Sequence, residues 1–191
     1  CTFDMKQLGA DAKGIKSCTE LINRTIEKAA SEGGGTIYFP AGTYLTATIH
    51  MKSNITLYLE SGAVLRFSDK FEDYLPFVTL RWEGTVMKSL SPLIYAHSAD
   101  NVTISGRGTL DGNGLKWWLW EFDTRKVIKE NGGKLPTLDK LQQMWVDANK
   151  DLEISDYYKP SLERRMFRPP FIQFYECTNI LIENVKIINS P

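Results

Sequence analysis

One short pattern recurs three times in this chain: a polar residue, an asparagine, apolar residues on alternate positions, then a turn. It reads "SNITLYLESGAVLRF" from Ser53, "DNVTISGRGTLDGNG" from Asp100 and "TNILIENVKIINSP" from Thr178. Alternation of period two marks a strand with one buried face. A strand unit that returns along the chain points to stacked repeats rather than to a sandwich of unrelated strands. Asparagine tolerates the left-handed backbone of a sharp turn, so Asn54, Asn101 and Asn179 are expected at one corner of successive coils, hydrogen-bonded in a ladder.

The spacing supports this. Asn54 and Asn101 are 47 residues apart, which divides into two coils of about 23 residues, within the range of short solenoid repeats. Asn101 and Asn179 are 78 residues apart. That is one coil plus an insertion of about 50 residues, and the charged stretch 119–168 supplies it. Within it Leu138, Leu141, Trp145, Ala148 and Leu152 mark a helical stripe over 138–152. The segment is too short and too charged for a core of its own, so it reads as an elaboration on one rim.

Ahead of the coils, a strand at Thr2 to Leu8 leads to one amphipathic helix. Ser17 and Glu20 fit a capping box. Cys18, Leu21, Ile22, Thr25, Ile26, Ala29 and Ala30 fall on one helical face. Gly33 to Gly35 then end the helix. The reading is all-β: a parallel β-helix, or solenoid, with a helix covering its first coil and a partly helical insertion. As one domain it divides into 1–35 (entry strand and capping helix), 36–118 (first coils), 119–168 (insertion) and 169–191 (next coil). The strand at 180–187 leaves an open edge, so further coils are expected to follow Pro191.

Composition excludes several functions. Lysine plus arginine is 23 and aspartate plus glutamate is 23; nucleic-acid and membrane-surface binders carry a basic excess. No apolar run reaches the length of a membrane span. Cys1, Cys18 and Cys177 show no metal or disulfide spacing; Cys18 and Cys177 read as buried thiols. A chain that starts at Cys1 fits a processed terminus or a truncated frame.

Three segments carry a family resemblance: "LGADAKGIKSCTELINRTIEKAASEGGGTIYFPAGTYLT", "GRGTLDGNGLKWW" and "RPPFIQFYECTNILIENVKIINSP". Together they resemble glycoside hydrolase family 28, the polygalacturonases, and "LRWEGTVMKSLSPLIYA" resembles bacterial, exo-acting members. The resemblance implies a right-handed parallel β-helix that hydrolyses α-1,4-galacturonosyl linkages with inversion, in a secreted or periplasmic protein. It implies a polysaccharide partner (pectin, polygalacturonate or rhamnogalacturonan) and no cofactor or metal.

In that family three aspartates, a histidine and an Arg-x-Lys element do the chemistry, in motifs absent from residues 1–191. No catalytic residue is therefore assigned. Inversion needs two carboxyl groups roughly 6.5–9.5 Å apart. Asp111 in "LDGNG" reads instead as a turn residue accepting backbone N–H groups, and Glu176 and Glu183 read as residues of a solvated face. His97 reads as a turn residue and His50 as a strand residue.

Substrate binding remains. Guanidinium groups match carboxylates in two-point contacts, which makes Arg81, Arg164, Arg165 and Arg168 candidates, Arg81 and Arg168 foremost because they fall in family-like segments. Trp117 and Trp118 are candidates to stack on sugar faces, at least one of them packing against the insertion. Of the pair, Trp118 is the substrate-binding candidate. Two other readings stand: a pectate lyase, which needs acidic calcium-binding clusters and a basic proton abstractor, and a non-enzymatic carbohydrate-binding solenoid such as a tailspike fragment.

Overall fold

The computed structural model describes residues 1–161 and 168–191. Three parallel sheets run its length, each built from one short strand per coil. The first contains β1 (Thr2–Asp4), β3 (Gly35–Phe39), β6 (Ile55–Leu59), β11 (Asp100–Gly106) and β14 (Thr178–Ile182), in that spatial order. The second contains β2 (Lys13–Ser17), β4 (Gly42–Thr46), β7 (Ala63–Phe67), β12 (Thr109–Asp111) and β15 (Lys186–Ile188). The third contains β5 (Ile49–His50), β10 (Ile94–His97) and β13 (Ile172–Tyr175). The chain passes from the third sheet to the first, then to the second, and returns to the third one level up.

The period-two alternation sets the interior. Ile37, Leu57 and Ile104 sit in register in the first sheet, and Tyr44, Leu65 and Leu110 in the second. All six are fully buried, each contributing about 1.5–3 kcal/mol by leaving water. The rows continue to Ile182 and Ile187, which lie 41% and 44% exposed on the open side of the last coil.

Asn54, Asn101 and Asn179 do share one left-handed corner, at φ 62, 57 and 54. Asn101 Nδ2 donates to Asn54 Oδ1 at 3.1 Å. The ladder then shifts by one residue: Asn179 Nδ2 donates to Asp100 Oδ1 at 2.7 Å. The coil count needs correcting. Ile55 pairs directly with Val102, so 47 residues make one coil, not two. The surplus, 68–93, leaves the stack as a short 3-10 turn (Phe71–Tyr74) and an antiparallel hairpin, β8 (Val78–Trp82) and β9 (Thr85–Ser89). Glu83 and Gly84 form its tip, with left-handed φ values of 47 and 86 that fit a two-residue turn matched to strand twist.

Helix α1 (Thr19–Ser31) buries Ile22, Thr25, Ile26 and Ala29 as its stripe requires. The capping box is not formed. Ser17 still pairs with Leu45 in the sheet, and the Cys18 N–H donates to the Leu45 carbonyl at 2.7 Å, so the strand holds Ser17 and the cap moves to Cys18. Asn23 docks the helix on the coils: its Nδ2 donates to Thr48 O at 2.9 Å and its Oδ1 accepts the His50 N–H at 2.9 Å. Cys18 is buried, whereas Cys177 is only half-buried.

The stretch read as the insertion opens with a second helix. Helix α2 (Leu115–Glu130) takes in Trp117 and Trp118, and α3 (Lys140–Asn149) follows with an Asp139–Gln142 capping box. Helix α2 carried no clear apolar stripe; Leu115 and Phe122 are each 60% exposed on it. Trp145 and Leu141 of α3 are buried and join the main core. Every long excursion after α1, 68–93 and 112–171, leaves from the corner between the second and third sheets.

Candidate functional site

The hairpin is held over the outer face of the third sheet by side chains that act as backbone partners. Gln173 of β13 accepts the Arg81 N–H on Oε1 at 2.9 Å and donates from Nε2 to the Arg81 carbonyl at 2.7 Å. The Tyr95 hydroxyl donates to Thr79 O at 2.5 Å; burial pushes that hydroxyl up to about 12, so it stays protonated as a donor. On the far side Asn149 at the end of α3 accepts the Lys88 N–H and donates to the Lys88 carbonyl, both at 2.7 Å. The hairpin is thus fixed between the sheet and the insertion.

Between hairpin and sheet lies an open groove of about 580 Å³, lined by Arg81, Gly84, Val86, Gln173, Phe174, Tyr175 and Glu176. The exposed Arg81 guanidinium donates from Nη2 to Gly84 O at 3.3 Å. The Tyr175 and His97 rings stand 5.0 Å apart, and His97 is 6.4 Å from Tyr95. His97 Nε2 lies 3.3 Å from the Glu176 carboxylate. Glu176 sits on a left-handed turn at φ 52, which carries its side chain, 60% exposed, into the groove. His50 is half-buried beside Tyr95; burial lowers its pKa, which favours the neutral ring.

A second groove, about 520 Å³, runs along the end of the second sheet and is lined in part by Ser17, Thr19, Arg66, Asp69, Lys70 and Asn113. Asp111 is buried beside it. Its carboxylate accepts the Asn113 N–H at 2.9 Å, the Asn189 amide at 3.0 Å and Arg66 Nε at 3.3 Å. Burial pushes the Asp111 pKa up, but the hydrogen bonds from Asn189, Asn113 and Arg66 outweigh it and hold the group below the usual carboxylate range. Asp111 is the structural turn residue its sequence context implied, and it also ties β12 to the coil above.

Of the predicted binding residues among those described, only Arg81 lines the first groove. Trp118 lies at another corner, its indole N–H donating to Ser190 O at 2.8 Å. Trp117 is buried, edge-on to Tyr74 and Trp120. Arg168 is half-buried just before Pro169, outside the residues lining the groove. Arg164 and Arg165 lie outside the described residues. Sequence reasoning missed Gln173 and Tyr175 as groove residues and His97 as their neighbour; the alternation that places Gln173 and Tyr175 on one face was legible, but the hairpin above them was not. Among the described residues no group of three His, Cys, Asp or Glu is placed to hold a metal ion, and no helix is long and apolar enough to cross a membrane.

The three stacked sheets, the covering helix and the rim insertion define a right-handed parallel β-helix of the kind found in polygalacturonases. The family described as "Rhamnogalacturonase A/epimerase, pectate lyase-like" matches residues 2–74. Over its whole length the chain superposes on a hyperthermoactive exopolygalacturonase from Thermotoga maritima with a TM-score of 0.76 and 34% identity, covering 42% of that chain. It is 31% identical over 121 residues to the exo-poly-alpha-D-galacturonosidase of Dickeya chrysanthemi, covering 60% of this chain and 20% of that protein. It is 27% identical over 171 residues to a "Probable polygalacturonase" of Vitis vinifera, covering 87% of this chain and 27% of that protein. The chain is accordingly similar to polygalacturonases. It spans less than half the length of each of these relatives.

Proposed function

We propose that the protein carrying this chain is a pectin-degrading glycoside hydrolase of exopolygalacturonase type. It acts on polygalacturonate outside the cytoplasm, secreted or periplasmic, and hydrolyses α-1,4-galacturonosyl linkages with inversion. The observation that carries this reading is the match to the Thermotoga exopolygalacturonase along the whole chain at 34% identity. The described residues supply binding and architecture. The acid and the water-activating carboxylates are not assigned among the described residues. Substrate contacts are assigned to Arg81, Arg168 and Trp118. The exo mode fits the insertion, whose α3 docks on the hairpin through Asn149 and so braces one side of the groove's frame.

The test is product analysis with polygalacturonate, with and without a chelator. Monogalacturonate released from the outset, unaffected by the chelator, supports the reading. Unsaturated, chelator-sensitive products would instead identify a lyase, and mixed oligomers an endo-acting hydrolase. Preference for rhamnogalacturonan over polygalacturonate would shift the substrate within the same class.

A further inference from the structure

Tyr175 and Glu176 line the first groove, and His97 stands against both. We propose that with Arg81 they form a subsite for a single uronic acid unit; this rests on the pectin-hydrolase reading. The groove holds one cation and one anion within the same 580 Å³. Arg81 offers a guanidinium, the group that pairs a carboxylate at two points. Its backbone is fixed by Gln173, so the side chain extends from a defined place. Glu176 opposes a bare anion in the same groove, so phosphate or a simple carboxylate gains little. A ligand that brings hydroxyl donors together with a carboxylate satisfies both: hydroxyls to Glu176 and to His97, the carboxylate to Arg81. The Tyr175 ring, half-buried and braced by His97 at 5.0 Å, offers an apolar face of the size a pyranose ring covers. A few convergent polar groups beside an aromatic platform is the makeup of a specific small-ligand site.

The probes are D-galacturonate and D-galactose, which share their ring hydroxyls, differ at the carboxylate and contain no bond to cleave. Galacturonate is expected to shift the NMR signals of the Gln173 amide and the His97 ring, and galactose to shift them far less. On polygalacturonate, Arg81→Ala is expected to raise KM about tenfold, the worth of one charge-assisted contact, with kcat nearly unchanged. Arg81→Lys should fall between. Tyr175→Ala should weaken galacturonate and galactose alike, and Glu176→Gln should narrow the preference for a sugar acid over acetate. Melting curves check that each variant is folded. If folded Arg81→Ala and Tyr175→Ala keep wild-type KM and the Gln173 and His97 signals ignore galacturonate, the subsite is refuted while the hydrolase reading stands. If the wild type neither binds nor cleaves any pectic saccharide, the hydrolase reading fails and the subsite with it.

Discussion

The Gln173 carboxamide pairs with Arg81 as a neighbouring strand would, through hydrogen bonds of 2.9 and 2.7 Å to its N–H and carbonyl. Asn23 does the same between Thr48 and His50, and Asn149 does so at Lys88. Elements outside the stack are thereby attached to it by side chains that satisfy backbone groups otherwise left unpaired.

Gln173→Ala should therefore loosen the hairpin without unfolding the coils. Amide exchange at Val78–Trp82 is expected to quicken about tenfold, the equivalent of one net hydrogen bond, while exchange in β6 and β11 stays at wild-type rates. Equal acceleration in hairpin and coils would show that the carboxamide supports the whole stack instead.

Two glycines in left-handed backbone should respond very differently to alanine. Gly106, at φ 106, has Leu59 O only 2.0 Å from where a Cβ would stand, whereas Gly84, at φ 86, has nothing within 4 Å. Gly84→Ala is expected to cost about 1 kcal/mol of backbone strain. Gly106→Ala must also push two rungs apart, and several kcal/mol is expected. Urea unfolding midpoints of the two variants measure the difference.

Much of this was legible in the chain. The alternation in "ITLYL" and "VTISG" named the buried rows, and the recurrent asparagines named the corner they occupy. The hairpin was not, because its docking on the stack depends on Gln173, far away in sequence. Helix α2 escaped because its Leu115, Leu119 and Phe122 stay exposed, so no stripe marks a buried side. Ser17 misled because strand pairing with Leu45 overrode a good local cap.

Asp111→Ala should destabilise the stack by about 1–3 kcal/mol, the cost of stripping a buried group's partners. Arg66, the Asn113 N–H and the Asn189 amide all lose their acceptor. Asp111→Asn, which keeps one oxygen acceptor, should lie between wild type and alanine. Thermal melts of all three decide it, and an alanine variant as stable as wild type would contradict the role given to this carboxylate.

Acid should weaken the coils through three carboxylates. Asp100 is held below the usual carboxylate range by Thr178 and Asn179, Asp11 by the backbone N–H groups of Lys16, Ile15 and Lys13, and Asp111 by Asn189, Asn113 and Arg66 against its burial. Because these folded values are depressed, the unfolded chain binds more protons in this range, and stability falls as pH falls. Their contribution is complete above the unfolded carboxylate value of about 3.9 and is lost as pH drops through the lower folded values. Melting temperatures between about pH 6 and pH 2.5 should stay level and then decline steeply, and Asp100→Asn should flatten the decline.

The corner between the second and third sheets takes two residues, Ala47 and Thr48, in one coil and residues 68–93 and 112–171 in the next two, yet the strands on either side keep their pairing. The scaffold thus separates what must be constant from what can be swapped. A foreign loop grafted there should leave the rungs undisturbed, whereas one extra residue at the Gly106–Gly108 bend would throw every later level out of step. New specificities on this framework can be built at a single address.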